Sequence, residues 1–414
     1  MKIDRGVSRN VDLVGYHDLE NRPGFQMAMH VVNDMWYLYL GHFWHKGWTI
    51  MDVTDPSKPE LLRFVPWPGS ENTITIKVQV AEGLLIANLQ REIALLAREG
   101  APFEEGILIF DLKDPVNPRQ LGHWKTGSLG THRNFYNGGR YVHCAAAAPG
   151  FTNNIYRIVD IADPAHPVEA GRWWLPEQWA AGGAKTTRER VDLHGPPYVV
   201  GNRAYLSYMG GGMVILDISD ISVPKLISQL QFQPPFGRSI ACHTVLPLPR
   251  RGLAIASSEG IGIQPTGRHF ATEKRAGVDL AGIVDISDET NPVLISTFPV
   301  PEPPPGSPYR NFHEKGGWFG PHNWHEPHDD PNLEDRDDRV YLTYFNAGLR
   351  VFDISDPLLP KEIAYYIPPD PKERYGPMPF GKLVVSSEDI LVDRRGYIYM
   401  TDKNLGLHVL RCTI

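Results

Sequence analysis

The strongest constraint on this chain is a short phrase that recurs along it. Each copy reads as an apolar strand, an aspartate-initiated turn with proline two to five residues on, and a second short strand. The first copy is Trp48-Thr49-Ile50-Met51-Asp52-Val53-Thr54-Asp55-Pro56, and the others centre on Asp111, Asp160, Asp217, Asp285 and Asp353. Asp and Pro favour tight turns, so each copy predicts an antiparallel hairpin. A second strand pair precedes each, as at 243–246 and 253–256 around Arg250-Arg251-Gly252. One unit is therefore four antiparallel strands, A to D. A spacing of roughly 50 to 70 residues sits at or above the long end of propeller repeats, with the excess in loops.

A seventh unit begins at Glu388, continues through 397–400 and ends with 407–410, without a strand D. Residues 10–15 look like a D strand and have no A, B or C before them. Pairing the two ends would remove two exposed sheet edges. The expectation is an all-β, seven-bladed propeller forming one domain over residues 1–414, closed by its N-terminal strand. With 39 glycines and 37 prolines, the composition suits short strands and tight turns.

A net charge of −7 with no basic run argues against nucleic acid or an anionic membrane as partner. No stretch approaches the roughly 18 apolar residues of a membrane span, and the first residues are polar rather than leader-like. Cys144, Cys242 and Cys412 are odd in number and far apart, which is no disulfide framework. These features predict a cytoplasmic protein with a small-molecule substrate, and they leave homo-oligomerisation open.

Ile283-Val284-Asp285-Ile286-Ser287-Asp288 and Val351-Phe352-Asp353-Ile354-Ser355-Asp356 resemble the LVIVD-repeat propellers, over nearly the whole chain. The resemblance implies an architecture and no activity, because propellers host unrelated functions.

In a propeller the D-to-A and B-to-C loops share one face. On that face fall the long insertions 91–105, 174–192, 259–277, 299–320 and 368–382, the first of which has the pattern of a short amphipathic helix. Long loops on one side of a rigid scaffold commonly hold a ligand. The other face carries short turns and one acidic excursion, 329–338, which reads as a solvated loop and makes that face scaffold.

Strand A is innermost in each blade, and its first residue lies at the mouth of the central channel. There the third to sixth blades carry His132, His194, His243 and His322; the first offers His30, the seventh Glu388, and the second, 73–77, no evident ligand. A lone histidine opening a strand is ordinarily a polar residue bonded to a carbonyl. Four at one structural position point to a transition-metal site. Glu388, Glu314 and Glu259 are carboxylates that could hold the imidazoles in place. His325 and Glu326, in the dense run His322 to His328, are candidate acid-base groups, together with Glu388 and His30. Pro321 and Pro327 exclude a helical zinc motif there. The mouth loops supply aromatics, including Trp44, Trp48, Trp318, Phe319, Trp324 and Phe270, which would pack loops or hold an apolar substrate. Arg133, Arg190 and Arg268 could anchor an anionic group, Arg133 foremost.

In the blade-wise placement of its histidines the chain is similar to the four-histidine iron site of the carotenoid-cleavage oxygenases, and by architecture to the copper-dependent methanethiol oxidases. The similarity implies Fe(II) first, then Zn, Mn or Cu. Oxidative, O2-dependent chemistry on a small hydrophobic or aromatic compound is the first expectation. A metal-bound water serving hydrolysis, elimination or isomerisation, as in propeller lactonases, is the second. A metal-free protein-interaction propeller is the alternative from another class.

Overall fold

A computed structural model describes residues 6–67, 69, 71–93, 96–185, 190–237, 240–261, 279–326, 329–378 and 381–414. Seven antiparallel sheets follow one another along the chain. Blade 1 runs Gly24–Val32, Met35–His42, Gly47–Asp52, Glu60–Pro66 in strand order A to D. In blade 2 strand A is broken into Thr73–Ile74 and Val78–Ala81, both paired with Leu84–Arg91. In blade 6 strand A shrinks to an irregular segment, where Trp324 bridges Leu342.

The ring closes as the sequence implies. Val11–His17 pairs antiparallel with Gly406–Cys412, the last C strand, and completes blade 7. Val7–Arg9 adds something the pattern did not foretell, a fourth strand on the outer edge of the blade 6 sheet against Lys361–Ile367. The N-terminal segment thus ties two neighbouring blades together.

Strands B and C are buried on both faces, which explains their unbroken apolar runs: Val214, Ile215 and Leu216 are inaccessible, as are Ile107, Leu108 and Ile109. The core lies between blades. Trp48 stacks edge-on against Phe110 and Trp67, joining blades 1 and 2, and Trp324 packs on Phe298 and donates to Ser257 Oγ at 3.0 Å, joining blades 5 and 6. In the repeated turns the first aspartate accepts from the amide two residues on, as Asp285 does from Ser287 at 2.8 Å and Asp353 from Ser355 at 2.8 Å. Such Asx turns explain the fixed Asp.

The turn of each blade presses on strand D of the blade before it. A Cβ on Gly15, Gly122 or Gly171 would come within 2.2, 2.0 and 1.9 Å of the carbonyl oxygens of Pro56, Pro164 and Ile221. Gly15 shares this role with two internal D strands, which is why the N-terminal strand fits the last blade. The segment 329–338 is more than a solvated loop: Leu333 is buried, and Asp335 and Asp337 pair with Arg250 at 2.6 and 3.1 Å. Where a helix was expected in 91–105, the Leu96 and Ala97 amides donate to Ile93 O and the described residues form no helix. We expect Gly171→Ala, which overpacks this contact, to cost about 1–3 kcal/mol in urea unfolding. An unchanged midpoint would show that the blades yield there.

Candidate metal centre

In four blades the residue that opens strand A lies in a β-bulge, at 25–26, 132, 241–243 and 388–389. A bulge re-aims side chains, here towards the axis. Lys77 occupies the break in strand A of blade 2, its amide donating to Asn88 Oδ1 at 2.8 Å. His194 and His322 enter through single backbone bonds to Ser207 and Thr343.

The four expected histidines form an arc. Ring centroids are 4.2 Å apart for His132 and His194, 5.2 Å for His194 and His243, and 5.2 Å for His243 and His322. Glu259, at the end of strand B in blade 5, reaches into the arc. Its Oε2 lies 3.3 Å from His194 Nε2 and 3.6 Å from His243 Nε2, and its Oε1 lies 3.3 Å from His322 Nε2. One ligand atom from each of His194, His243 and Glu259 falls within 4.8 Å of the others, a group that could hold a metal ion. Donors about 2.0–2.1 Å from a tetrahedral ion stand about 3.3 Å apart, so the spacing suits such an ion. Glu259 Oε2 is buried without a well-aligned donor, as expected if the nitrogens converge on a common point rather than on the oxygen. The set therefore differs from the all-histidine one: a carboxylate joins it, and His132 stacks on its edge.

The outer ring nitrogens are tied to the protein. His322 Nδ1 donates to the Glu388 carbonyl at 3.0 Å, and His132 Nδ1 lies 2.9 Å from Gln90 Oε1 and His243 Nδ1 2.7 Å from Thr244 Oγ1. Such bonds orient metal-binding imidazoles and leave Nε2 facing inward. Burial pushes His132 and His243 well below the ordinary histidine range, keeping them neutral. Burial acts to raise Glu259, whereas His322 and His243, when they carry a proton, and hydrogen bonds from His194 and His322 lower its carboxyl well below the usual range. Neutral imidazoles and an ionised carboxylate are the ligating forms.

Beside the arc stand Glu388 and two buried lysines. Lys403 Nζ pairs with Glu388 Oε2 at 2.5 Å, and Glu388 Oε1 is 3.6 Å from His322 Nδ1. Phe25, Phe43, Trp318, Phe345 and Met378 pack together at this end of the channel with Trp44 partly buried against them, and Phe345 stacks on His322 at 4.6 Å. Of the predicted aromatics, Trp44 and Trp318 belong here. Trp48 and Trp324 are inter-blade core, and Phe319 packs on Phe312 and Tyr344 in blade 5–6 packing.

The other predicted site residues lie elsewhere. His30 is at the far end of its strand, opposite Tyr37; the opening position in blade 1 belongs to Phe25 and Gln26. His325 takes the Val392 amide on Nδ1 at 3.2 Å and lies 3.0 Å from the Glu334 carbonyl through Nε2, a neutral structural histidine towards the opposite face. Arg133 is buried beneath the arc in a short ion pair with Glu326, whose oxygens also accept from Gln26 at 3.2 Å and Gln79 at 2.9 Å. That pair plugs the channel: Glu326 lines the floor of a cavity of about 190 Å³ opening on the other face. Glu314 is turned outward to Arg310. Phe270, Arg268, His328 and most of the 259–277 insertion lie outside the described residues.

These features define a seven-bladed propeller with a histidine-carboxylate cluster at one mouth. Residues 32–65, 150–173, 198–231, 279–299 and 338–367 each match the LVIVD repeat, and the chain is an LVIVD-repeat β-propeller. Comparison with curated proteins returns no match. Among solved structures, the periplasmic gluconolactonase PpgL of Pseudomonas aeruginosa is similar at 10% identity, with a TM-score of 0.57 over 91% of this chain and 99% of that one. Saccharomyces cerevisiae Sqt1 is similar at 8% identity, with a TM-score of 0.52 over 99% and 88%. These are likenesses of fold. No helix among the described residues is long and apolar enough to cross a membrane.

Two predictions follow from the buried charges. Arg133→Met leaves Glu326 without its cation and should cost about 3–5 kcal/mol in denaturant unfolding, much of it recovered in Arg133→Met/Glu326→Gln. A near-neutral single variant would refute the plug. Asp402 is buried beside Lys403, and burial pushes its carboxyl up to about 6 from 3.8, against hydrogen bonds from the Asn404 and Ser386 amides. The folded state then holds the extra proton between pH 4 and 6, so stability falls as pH rises through that window, by up to about 3 kcal/mol. Relative to Asp402→Asn, the wild type should lose ground from pH 4 to 6, and a constant difference would exclude this assignment.

Proposed function

We propose that this propeller is a metal-dependent enzyme acting on a small hydrophobic or aromatic compound at the insertion-bearing mouth. Fe(II) is the first-choice ion and O2-dependent oxidation the first-choice reaction. The observation that carries the reading is the His194-His243-Glu259 group, with His322 on the other carboxylate oxygen. Two imidazoles and one carboxylate are the donor set associated with non-haem Fe(II) oxygenases, and they leave positions open. Zn, Mn or Cu follow in order of preference.

The ion would supply positive charge and an open coordination position for O2 or water. The chain's own residues do the rest. Thr244, Gln90 and the Glu388 carbonyl fix the imidazoles, the Phe25, Phe43, Trp318 and Phe345 wall sets an apolar boundary, and the Arg133–Glu326 plug closes the channel from behind. Glu388, between His322 and Lys403, is the group placed to carry a proton. The three unpaired cysteines suit the reducing cytoplasm proposed for the protein.

The test is metal analysis after anaerobic reconstitution with Fe(II), Zn(II), Mn(II) or Cu(II), followed by nitric oxide addition to the Fe(II) form and electron paramagnetic resonance. We expect about one equivalent bound, a high-spin iron-nitrosyl signal, and loss of both in His243→Ala and Glu259→Ala. Failure to hold any of the four ions would sink the metal reading and favour the protein-interaction alternative. Bound iron without a nitrosyl signal would remove oxygen chemistry and leave the metal-water hydrolase, lyase or isomerase.

A further inference from the structure

The openings of strand A are held from the side by a hydrogen-bonded strap that recurs around the ring. Among the described residues, four blades carry a fully buried polar side chain at the end of strand B: Asn88, Ser207, Thr343 and Thr401. Each accepts from an amide of its own strand A segment and donates to a carbonyl at the opening of strand A in the next blade. Asn88 takes the Lys77 amide and gives to the Thr131 carbonyl, both at 2.8 Å. Ser207 Oγ takes the Gly195 amide at 3.2 Å and gives to the His243 carbonyl at 2.6 Å. Thr343 Oγ1 takes the Asn323 amide at 3.2 Å and gives to the Glu388 carbonyl at 3.0 Å, nearer than the Asn323 carbonyl at 3.2 Å. Thr401 Oγ1 takes the Asp389 amide at 3.2 Å and gives to the Phe25 carbonyl at 2.9 Å.

Closure does not require the strap in every blade. The matching place is Gly41 in blade 1 and Ala147 in blade 3, and in blade 5 Ser257 accepts from the Trp324 indole. Two of the four straps hold metal-facing histidines. Ser207 spans blades 4 and 5, because its own carbonyl also accepts from the His194 amide at 3.2 Å. One residue thus grips the backbones behind both imidazoles that meet Glu259 Oε2. The approach needs glycine at 195, where a Cβ would fall 1.8 Å from the His243 carbonyl oxygen and 2.6 Å from Ser207 Oγ. Thr343 spans blades 6 and 7: its carbonyl accepts from the His322 amide at 3.0 Å, and its hydroxyl shares the Glu388 carbonyl with His322 Nδ1. The straps of Asn88 and Thr401 end on Lys77, Thr131, Asp389 and Phe25, which are outside the ligand group.

We propose that Ser207 and Thr343 are positioning residues of the metal centre, Ser207 setting the spacing of His194 and His243 and Thr343 seating His322. Ligand distances at an ion tolerate only a few tenths of an ångström, and these histidines come from different blades. A hydroxyl bonded to both backbones fixes their separation more tightly than side-chain packing alone. The inference rests on the reading of His194, His243 and Glu259 as a metal site.

The test compares Ser207→Ala and Thr343→Val with Thr401→Val, each of which deletes one strap hydroxyl from the full chain. Zinc affinity is read by chelator competition, coordination geometry by the visible absorption of the Co(II) form, and fold stability by melting temperature. All three should melt lower than wild type. Ser207→Ala and Thr343→Val should each bind zinc about tenfold or more weakly, with a changed Co(II) spectrum, whereas Thr401→Val keeps both properties of the wild type. Ser207→Thr and Thr343→Ser, which keep the hydroxyl, should restore most of the affinity. Wild-type affinity in Ser207→Ala and Thr343→Val would overturn the proposal, as would equal losses in all three deletions or failure of the hydroxyl-retaining variants to recover. Loss in one of the two alone would overturn the assignment of the other. A wild type that holds no zinc sinks the metal reading, and carbethoxylation of the metal-free histidines then judges the straps. Faster modification of His194 and His243 in Ser207→Ala, and of His322 in Thr343→Val, than in Thr401→Val upholds the positioning, and equal rates overturn it.

Discussion

Everything at the mouth of this propeller depends on one antiparallel pairing, that of Val11–His17 with Gly406–Cys412. A seven-sheet array left open would expose the outer edge of the last blade and let the first and seventh blades separate. Phe25 of blade 1, Lys77 of blade 2 and Glu388 of blade 7 would then no longer face His322 and Glu259 across the axis. The register is fixed by packing as well as by hydrogen bonds. Gly15 lets the Pro56 carbonyl approach as Gly122 and Gly171 do for their neighbours, and Val7–Arg9 anchors the same segment to blade 6.

Closure gathers charge at a place where charge is expensive. The axis holds Arg133, Lys77, Lys403, Glu259, Glu326, Glu388 and Asp389, all nearly inaccessible to solvent. A propeller core could be apolar throughout, and buried ion pairs seldom stabilise a fold better than well-packed hydrophobic residues. The pairs divide by depth. Arg133 and Glu326, joined by hydrogen bonds with Gln26, Gln79 and Asn323, form a network between strands, although Arg133 Nε and the Gln26 and Gln79 Oε1 atoms lack partners in it. The group nearer the mouth is incompletely satisfied, with both Glu388 oxygens and Glu259 Oε2 lacking well-aligned donors.

The fold was legible because its signals are local and repeated. Each Asp turn, each apolar strand pair and the unpartnered strand at residues 10–15 can be found without knowing what touches what. The arc of His132, His194, His243 and His322 was legible for the same reason, since equivalent positions in successive repeats point to one axis. Where the repeat is irregular, the reading went astray. Strand A of blade 1 spans nine residues, Gly24–Val32, so His30 sits at its far end while Phe25 takes the axial place. Strand A of blade 2 is interrupted, which concealed Lys77 in the interval between Ile74 and Val78. The roles of Arg133 and Glu326 were unreadable because they depend on a contact 193 residues apart, between blades 3 and 6. Trp48 and Trp324 have the composition of a substrate wall and the position of a core, and only inter-blade packing tells these apart.

The irregularities are also where the chemistry concentrates. A regular strand sends alternate side chains to its two faces, and an unbroken strand A would hand its opening residues to the neighbouring blades. Bulges at 25–26, 132, 241–243 and 388–389, and the break before Val78, release those residues from that alternation and turn them to the axis. Each distortion gives up ladder hydrogen bonds, yet the B and C strands behind it remain fully paired and buried. The scaffold can therefore tolerate local disorder of pattern in strand A without loss of closure. An apolar repeat sets the ring, and departures from that repeat on its inner edge decide which charges and imidazoles meet at the centre.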